Sequence, residues 1–129
     1  MWLASAVEEN QGKVYTVELA KPKIDMAAKT FKDSGLENSV QQIEGNVSAV
    51  LNNWNKQIDM VFLDADKMNY LLYIKKFEKF LRKGSVVIAD NATDFGDLME
   101  DYIEYVSNNQ NYHSFLLDID NGLMVSIRL

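Results

Sequence analysis

Apolar and polar positions alternate along this chain in two periods, one that suits helices and one that suits strands. Trp2, Leu3 and Ala6 mark the apolar face of a helix over residues 2–9, which runs into the turn Asn10-Gln11-Gly12. Val14-Tyr15-Thr16-Val17 is β-branched and aromatic and predicts a strand ending in Glu18. Pro22 suits the first turn of the next helix, where a missing N–H costs nothing. Ile24, Ala27, Ala28 and Phe31 carry that helix forward, and Gly35 supplies its stop. Val40–Ile43 predicts a second strand, followed by Gly45-Asn46 and a short helix with Val47, Val50, Leu51 and Trp54. Ile58–Leu63 reads as a buried parallel strand. Tyr70, Ile74, Phe77 and Leu81 then trace an amphipathic helix that stops at Gly84. Ser85–Ala89 is a further strand, and Leu98, Tyr102, Ile103 and Val106 place a helix at about 97–107. Tyr112–Leu117 and Leu123–Ile127 close the chain as an antiparallel hairpin around Asp120-Asn121-Gly122.

The order α β α β α β α β α β β predicts an α/β fold with helices on both faces of a mostly parallel sheet, made mixed by the closing hairpin. At 129 residues the chain is expected to be a single domain (1–129) without repeats or linkers. Met26, Met60, Met99 and Met124 are spaced as core filler. His113, the one histidine, is given a surface or packing role.

Charge narrows the partners. A formal net charge of −6 argues against a nucleic-acid surface. The densest basic group, Lys75, Lys76, Lys79, Arg82 and Lys83, is expected on the outer face of one helix. With no cysteine, disulfides and thiolate metal sites are excluded. No apolar stretch approaches the roughly 20 residues of a membrane helix, and no signal-peptide pattern opens the chain, so the expectation is a cytoplasmic protein with no membrane partner.

Two strand ends carry the chemistry. Asp64-Ala65-Asp66-Lys67 follows Ile58–Leu63, and Asp90-Asn91 follows Val86–Ala89. The C-terminal edge of an open α/β sheet is where ligands bind. Asp64, Asp90 and Asn91 offer only oxygen donors, which suits Mg²⁺, Mn²⁺ or Ca²⁺ and disfavours zinc; alternatively they are helix N-caps. Lys67 near a dication and an apolar wall can have its pKa lowered and act as a general base, or it is an exposed lysine paired with Asp66. Glu18 can accept hydrogen bonds from ribose hydroxyls or be a solvated strand-end acid. Gly45 allows close approach and Asn46 can face an adenine edge, or the pair forms an ordinary Asx turn.

Val14–Glu18, then Asp59 to Tyr70 with its Asp64-Ala65-Asp66-Lys67-Met68-Asn69-Tyr70 core, then Val87-Ile88-Ala89-Asp90-Asn91, resemble the cation-dependent O-methyltransferases of the catechol and caffeoyl-coenzyme A type. The likeness reaches the terminal Asn121-Gly122-Leu123-Met124-Val125. It implies a Rossmann-like class I methyltransferase sheet, S-adenosylmethionine as methyl donor, a divalent cation, a small hydroxylated acceptor with vicinal hydroxyls, and a dimer. By position it implies Asp64, Asp90 and Asn91 as metal ligands and Lys67 as catalytic base. Glu18 then holds the donor's ribose, Gly45 and Asn46 lie near its adenine, and Asp64, Asp66 and Tyr70 line the donor side.

The chain departs from that family in the loop after Asn91, Ala92-Thr93-Asp94-Phe95-Gly96, which lacks the tryptophan often seen there, and more largely at its N-terminal end. It contains no Glu-x-Gly-x-x-x-Gly-Tyr-Ser run of the kind that precedes the helix here starting at Trp2. The resemblance therefore implies a relative cut off at its N-terminus and lacking the family's first strand. That strand lies between the strands ending at Glu18 and Asp64, so these two are expected to pair directly or to be covered by a second copy. Weak donor affinity and little turnover follow from the missing glycines. The competing readings are a non-catalytic remnant that binds a cation or partner, and a nicotinamide-dependent dehydrogenase, disfavoured because no GxGxxG fingerprint is present.

Overall fold

Helix and strand alternate in the computed structural model, which describes Met1–Leu129, in the order that the hydrophobic pattern predicts. The chain divides into two units, Met1–Trp54 and Asn55–Leu129.

The first unit contains α1 (Trp2–Glu9), β1 (Val14–Glu18), α2 (Lys21–Asp33), β2 (Val40–Glu44) and α3 (Val47–Asn52). Its sheet is the parallel pair β1 and β2, in register from Val14↔Val40 to Glu18↔Glu44. Pro22 sits in the first turn of α2, and Gly35 follows that helix at φ 73°, a conformation glycine adopts without a Cβ penalty. The buried apolar residues are few: Ala4, Ile24 and Val40. Ala4, not the expected Trp2 and Ala6, is the buried position of α1, and Trp2 is 91% exposed. Trp54 lies past the end of α3 and meets the Tyr15 ring edge-on at 4.9 Å.

The second unit holds β3 (Ile58–Leu63), α4 (Tyr70–Phe77), β4 (Leu81–Asp90), α5 (Glu100–Asn108), β5 (Tyr112–Leu117) and β6 (Leu123–Arg128), with short 3-10 turns at Lys67–Asn69, Glu78–Phe80 and Gly96–Leu98. The sheet order is β3-β4-β6-β5. β3 and β4 run parallel, and β6 lies antiparallel to both β4 and β5, so the closing hairpin forms as expected. Tyr70, Ile74 and Phe77 of α4, Tyr102 and Val106 of α5, and Val87, Ala89 and Met124 of the sheet make its core. Fully burying each large apolar side chain is worth about 1.5–3 kcal/mol, so this core is the main source of stability in the second unit.

Several expectations are corrected. The sheet is not continuous: β1 pairs only with β2 and β3 only with β4, so β1 and β3 do not pair directly. β3 is accordingly an edge strand, and Met60 (42%) and Phe62 (47%) are exposed where a buried strand was predicted. Met26 is exposed as well, so of the four methionines only Met99 and Met124 fill a core. The helix from Tyr70 ends before Leu81, tightening into a 3-10 turn at Glu78–Phe80. Leu81 instead pairs with Ile58, and the register shifts before Met60↔Val86. Ser85 bridges this irregularity: its hydroxyl donates to the Ile58 carbonyl at 2.7 Å and accepts from the Arg82 N–H at 3.0 Å. The basic group is therefore spread over α4, a 3-10 turn and β4, not one helix face. Arg82 of that group pairs with Asp59.

Candidate functional site

Strand register brings the two acidic ends together. Leu63 of β3 lies opposite Ala89 of β4 in a parallel pair, so Asp64 and Asp90 are the next positions on neighbouring strands. Adjacent strands are separated by about 4.7–4.9 Å, which is within reach of two carboxylates sharing one ion. Asn91 follows directly, at φ 64°. A left-handed asparagine is tolerated because its short amide bonds locally, and such conformations concentrate at functional sites. The loop after it is tied to the hairpin turn: Ala92 N–H donates to the Gly122 carbonyl at 2.8 Å and Thr93 N–H to the Asn121 carbonyl at 2.9 Å. Gly122 has φ 80°, and a Cβ there would lie 2.7 Å from the Thr93 backbone nitrogen. The distant turn thus fixes the position of the segment bearing Asn91.

Lys67 stands at the start of the 3-10 turn Lys67–Asn69 with its side chain only 13% exposed. Its Nζ donates to Asp64 Oδ1 at 3.3 Å and to the Tyr70 hydroxyl at 3.0 Å. The exposed pairing with Asp66 does not form; Asp66 instead accepts from Asn69 Nδ2 at 2.7 Å. Burial works against the charge on Lys67, but hydrogen bonds and charge from Tyr70 and Asp64 outweigh it and hold the pKa above the usual lysine value. That direction is opposite to the lowered pKa expected of a base, and Asp64 is one of its causes. Tyr70 itself is fully buried. Burial pushes its phenol pKa up.

In the first unit, Glu18 and Gly45-Asn46 meet at the ends of β1 and β2, where the Gly45 N–H donates to the Glu18 carbonyl at 3.0 Å. Glu18 Oε1 accepts the N–H groups of Leu19 and Ala20, both at 2.8 Å, in the turn just before α2. The Ala20 N–H above all lowers the carboxyl pKa, with help from Leu19 and Lys23. Oε2 lies 4.0 Å from Lys23 Nζ. Asn46 is the N-cap of α3, its Oδ1 accepting the Ser48 N–H at 2.9 Å, so the local turn reading holds for that oxygen. Gly45 has φ 153°.

The chemistry of the Asp64, Asp90 and Asn91 set fits a hard divalent cation: two carboxylates and one amide carbonyl, all oxygen donors. Asp64 is 61% exposed on its side chain, and Lys67 engages only one of its two oxygens. No group of three or more His, Cys, Asp and Glu side chains is placed to hold a metal, so a cation here depends on the asparagine and on oxygens from solvent or ligand. Sequence reasoning did not reveal that Tyr70 would hold Lys67. The i, i+3 spacing of the two residues was the available signal.

Comparison with known proteins gives the family and the fold. The sequence profile described as O-methyltransferase matches residues 1–127. The caffeoyl-CoA O-methyltransferase of Medicago sativa is 27% identical over 139 residues, covering 98% of this chain and 53% of its own length. A catechol O-methyltransferase of Niastella koreensis is 29% identical over 105 residues, covering 78% of this chain and 47% of its own. The chain thus spans about half the length of these relatives. Among solved structures, the Bacillus cereus O-methyltransferase in complex with SAH superposes with a TM-score of 0.84 at 21% identity, over 92% of this chain and 63% of that one. That likeness establishes the Rossmann-like methyltransferase fold.

Proposed function

We propose, because the chain belongs to the O-methyltransferase family, that it serves S-adenosylmethionine- and cation-dependent methylation of a small catechol-like hydroxyl. The register-matched strand ends Asp64 and Asp90-Asn91, with Lys67 hydrogen-bonded to Asp64, are the observation that carries this reading. Asp64, Asp90 and Asn91 would hold the cation. When bound, it would acidify an acceptor hydroxyl and offset the Asp64 charge that favours protonated Lys67. Lys67 would take the hydroxyl proton, and S-adenosylmethionine, when bound, would supply the methyl group that passes from sulfur to the acceptor oxygen. Glu18 Oε2 is assigned to the donor's ribose, Gly45 and the Asn46 amide to its adenine, and Asp66 to the donor side of the Lys67 loop. Tyr70 contributes from beneath that loop.

Turnover by these 129 residues is proposed to be slow, because no glycine-rich run is present in them to approach the donor's methionine part. The open edges of β1 and of β3 support a dimer in which a second copy covers them. A cytoplasmic location is in keeping with a diffusible acceptor, and no helix is long and apolar enough to cross a membrane.

The experiment is transfer of labelled methyl from S-adenosylmethionine to catechol, with Mg²⁺ and with chelator. Transfer that requires Mg²⁺ and falls about 10²–10⁴-fold in Lys67→Ala is the expected outcome. A second reading, a non-catalytic cation-binding remnant, is favoured by the engagement of Glu18 Oε1 and Asn46 Oδ1 with neighbouring backbone N–H groups. Mg²⁺ binding with no transfer at any chain concentration would select it.

A further inference from the structure

The Tyr70 hydroxyl spends its whole hydrogen-bonding capacity on three neighbours. It donates to the Leu63 carbonyl at 2.9 Å, and it accepts from the Ala65 N–H at 3.2 Å and from Lys67 Nζ at 3.0 Å. A phenol has one proton to give, so with that proton on Leu63 the oxygen can meet Lys67 only as an acceptor. Asp64 Oδ1, on the same Nζ, is also an acceptor. The Tyr70 ring is fully buried and packs edge-on against Tyr102 at a centroid distance of 5.7 Å, which fixes the oxygen in place.

We infer that Tyr70 is a positioning residue: its hydroxyl and Asp64 take two N–H bonds of Lys67 and leave the third tetrahedral direction of Nζ for the ligand. The inference rests on the assignment of Lys67 as base. Its consequence is directional: with two of its three N–H directions held by Asp64 and Tyr70, Nζ cannot turn about the Cε–Nζ bond, and without the Tyr70 oxygen that restraint is halved.

Tyr70→Phe keeps the ring and removes the oxygen. The test labels the lysines of the whole chain with ¹³C and reads the motion of the Lys67 ε-methylene by NMR relaxation, its resonance identified through Lys67→Arg. In the parent chain Lys67 is expected to be motionally restricted relative to exposed Lys29 and to cross-relax with the Tyr70 ring. In Tyr70→Phe that restriction is lost, which a merely structural role of Tyr70 would not produce. A folded Tyr70→Phe in which Lys67 stays restricted overturns the inference. Should the variant fail to fold, the parent chain decides: Lys67 as mobile as Lys29 overturns it, and a restricted Lys67 in contact with the Tyr70 ring supports it. Where the parent chain methylates catechol, Tyr70→Phe is expected to lower kcat about 10²-fold with the donor KM unchanged. An unchanged kcat overturns the inference. Absence of turnover in the parent is what the missing glycine-rich run would produce, and the NMR result alone then decides the positioning of Lys67.

Discussion

Both units of this chain end parallel strands in acidic or amide residues, yet they use those residues differently. In Met1–Trp54, Glu18 Oε1 is taken by the N–H groups of Leu19 and Ala20 in the turn before α2, and Asn46 Oδ1 by the N-terminus of α3. In Asn55–Leu129, Asp64 keeps one oxygen clear of Lys67 and Asp90 lies in register beside it. The same contrast runs through the packing. The second unit buries large side chains from two helices and a four-stranded sheet, whereas the first has a two-stranded sheet and three buried apolar residues. A strand-end acid becomes available for chemistry where its surroundings hold the backbone without its help.

The largest effect that would sharpen this contrast is a core truncation. Ile74→Ala in the second unit, at a fully buried position, is expected to cost about 2–5 kcal/mol in chemical denaturation, a large share of a typical 5–15 kcal/mol. Ile24→Ala, at 9% exposure in the sparser first unit, should fall at or below the bottom of that range. Equal costs would break the comparison. Gly122→Ala comes next. It combines a positive φ with a Cβ against the Thr93 backbone, and strain of this kind costs about 1–3 kcal/mol. Its amide spectrum should show shifts reaching Asn91 through the 91–93 segment; shifts confined to the hairpin would remove that segment's role in placing Asn91.

The smallest effect belongs to Glu18. Its folded-state carboxyl pKa is lowered, so it favours folding above the unfolded-state value, and that contribution disappears as the pH falls through the folded-state value. Glu18→Gln should therefore lose stability at neutral pH and converge with the parent chain in acid, measured as denaturation midpoints across that range. A gap that is the same at both ends would mean that the carboxylate charge is not what the turn at Glu18 to Ala20 uses.

How much of this was legible in the sequence follows the same division. Periodicity located every strand and the hairpin, because β-branched runs and Asp120-Asn121-Gly122 are local signals. It missed the end of α4 at Phe77, since Leu81 continues the helical spacing and only pairing with Ile58 draws it into β4. It buried Met60 and Phe62 because an apolar run does not disclose how many neighbours a strand will have. At the site, residue types gave the oxygen donors and the lysine. They could not give the burial of Lys67 or the direction of its pKa, which depend on Tyr70 lying beneath it.

The claim at the centre of this account is that the ends of β3 and β4 form a hard-cation site. Titration of the chain with Mn²⁺, followed by paramagnetic broadening of backbone amide signals, tests it directly. The expected result is broadening centred on residues 64–67 and 89–92, abolished in Asp64→Asn with Asp90→Asn. Broadening centred on the acid-lined surface of Asp97, Glu100 and Asp101, or broadening that survives the double substitution, would contradict it.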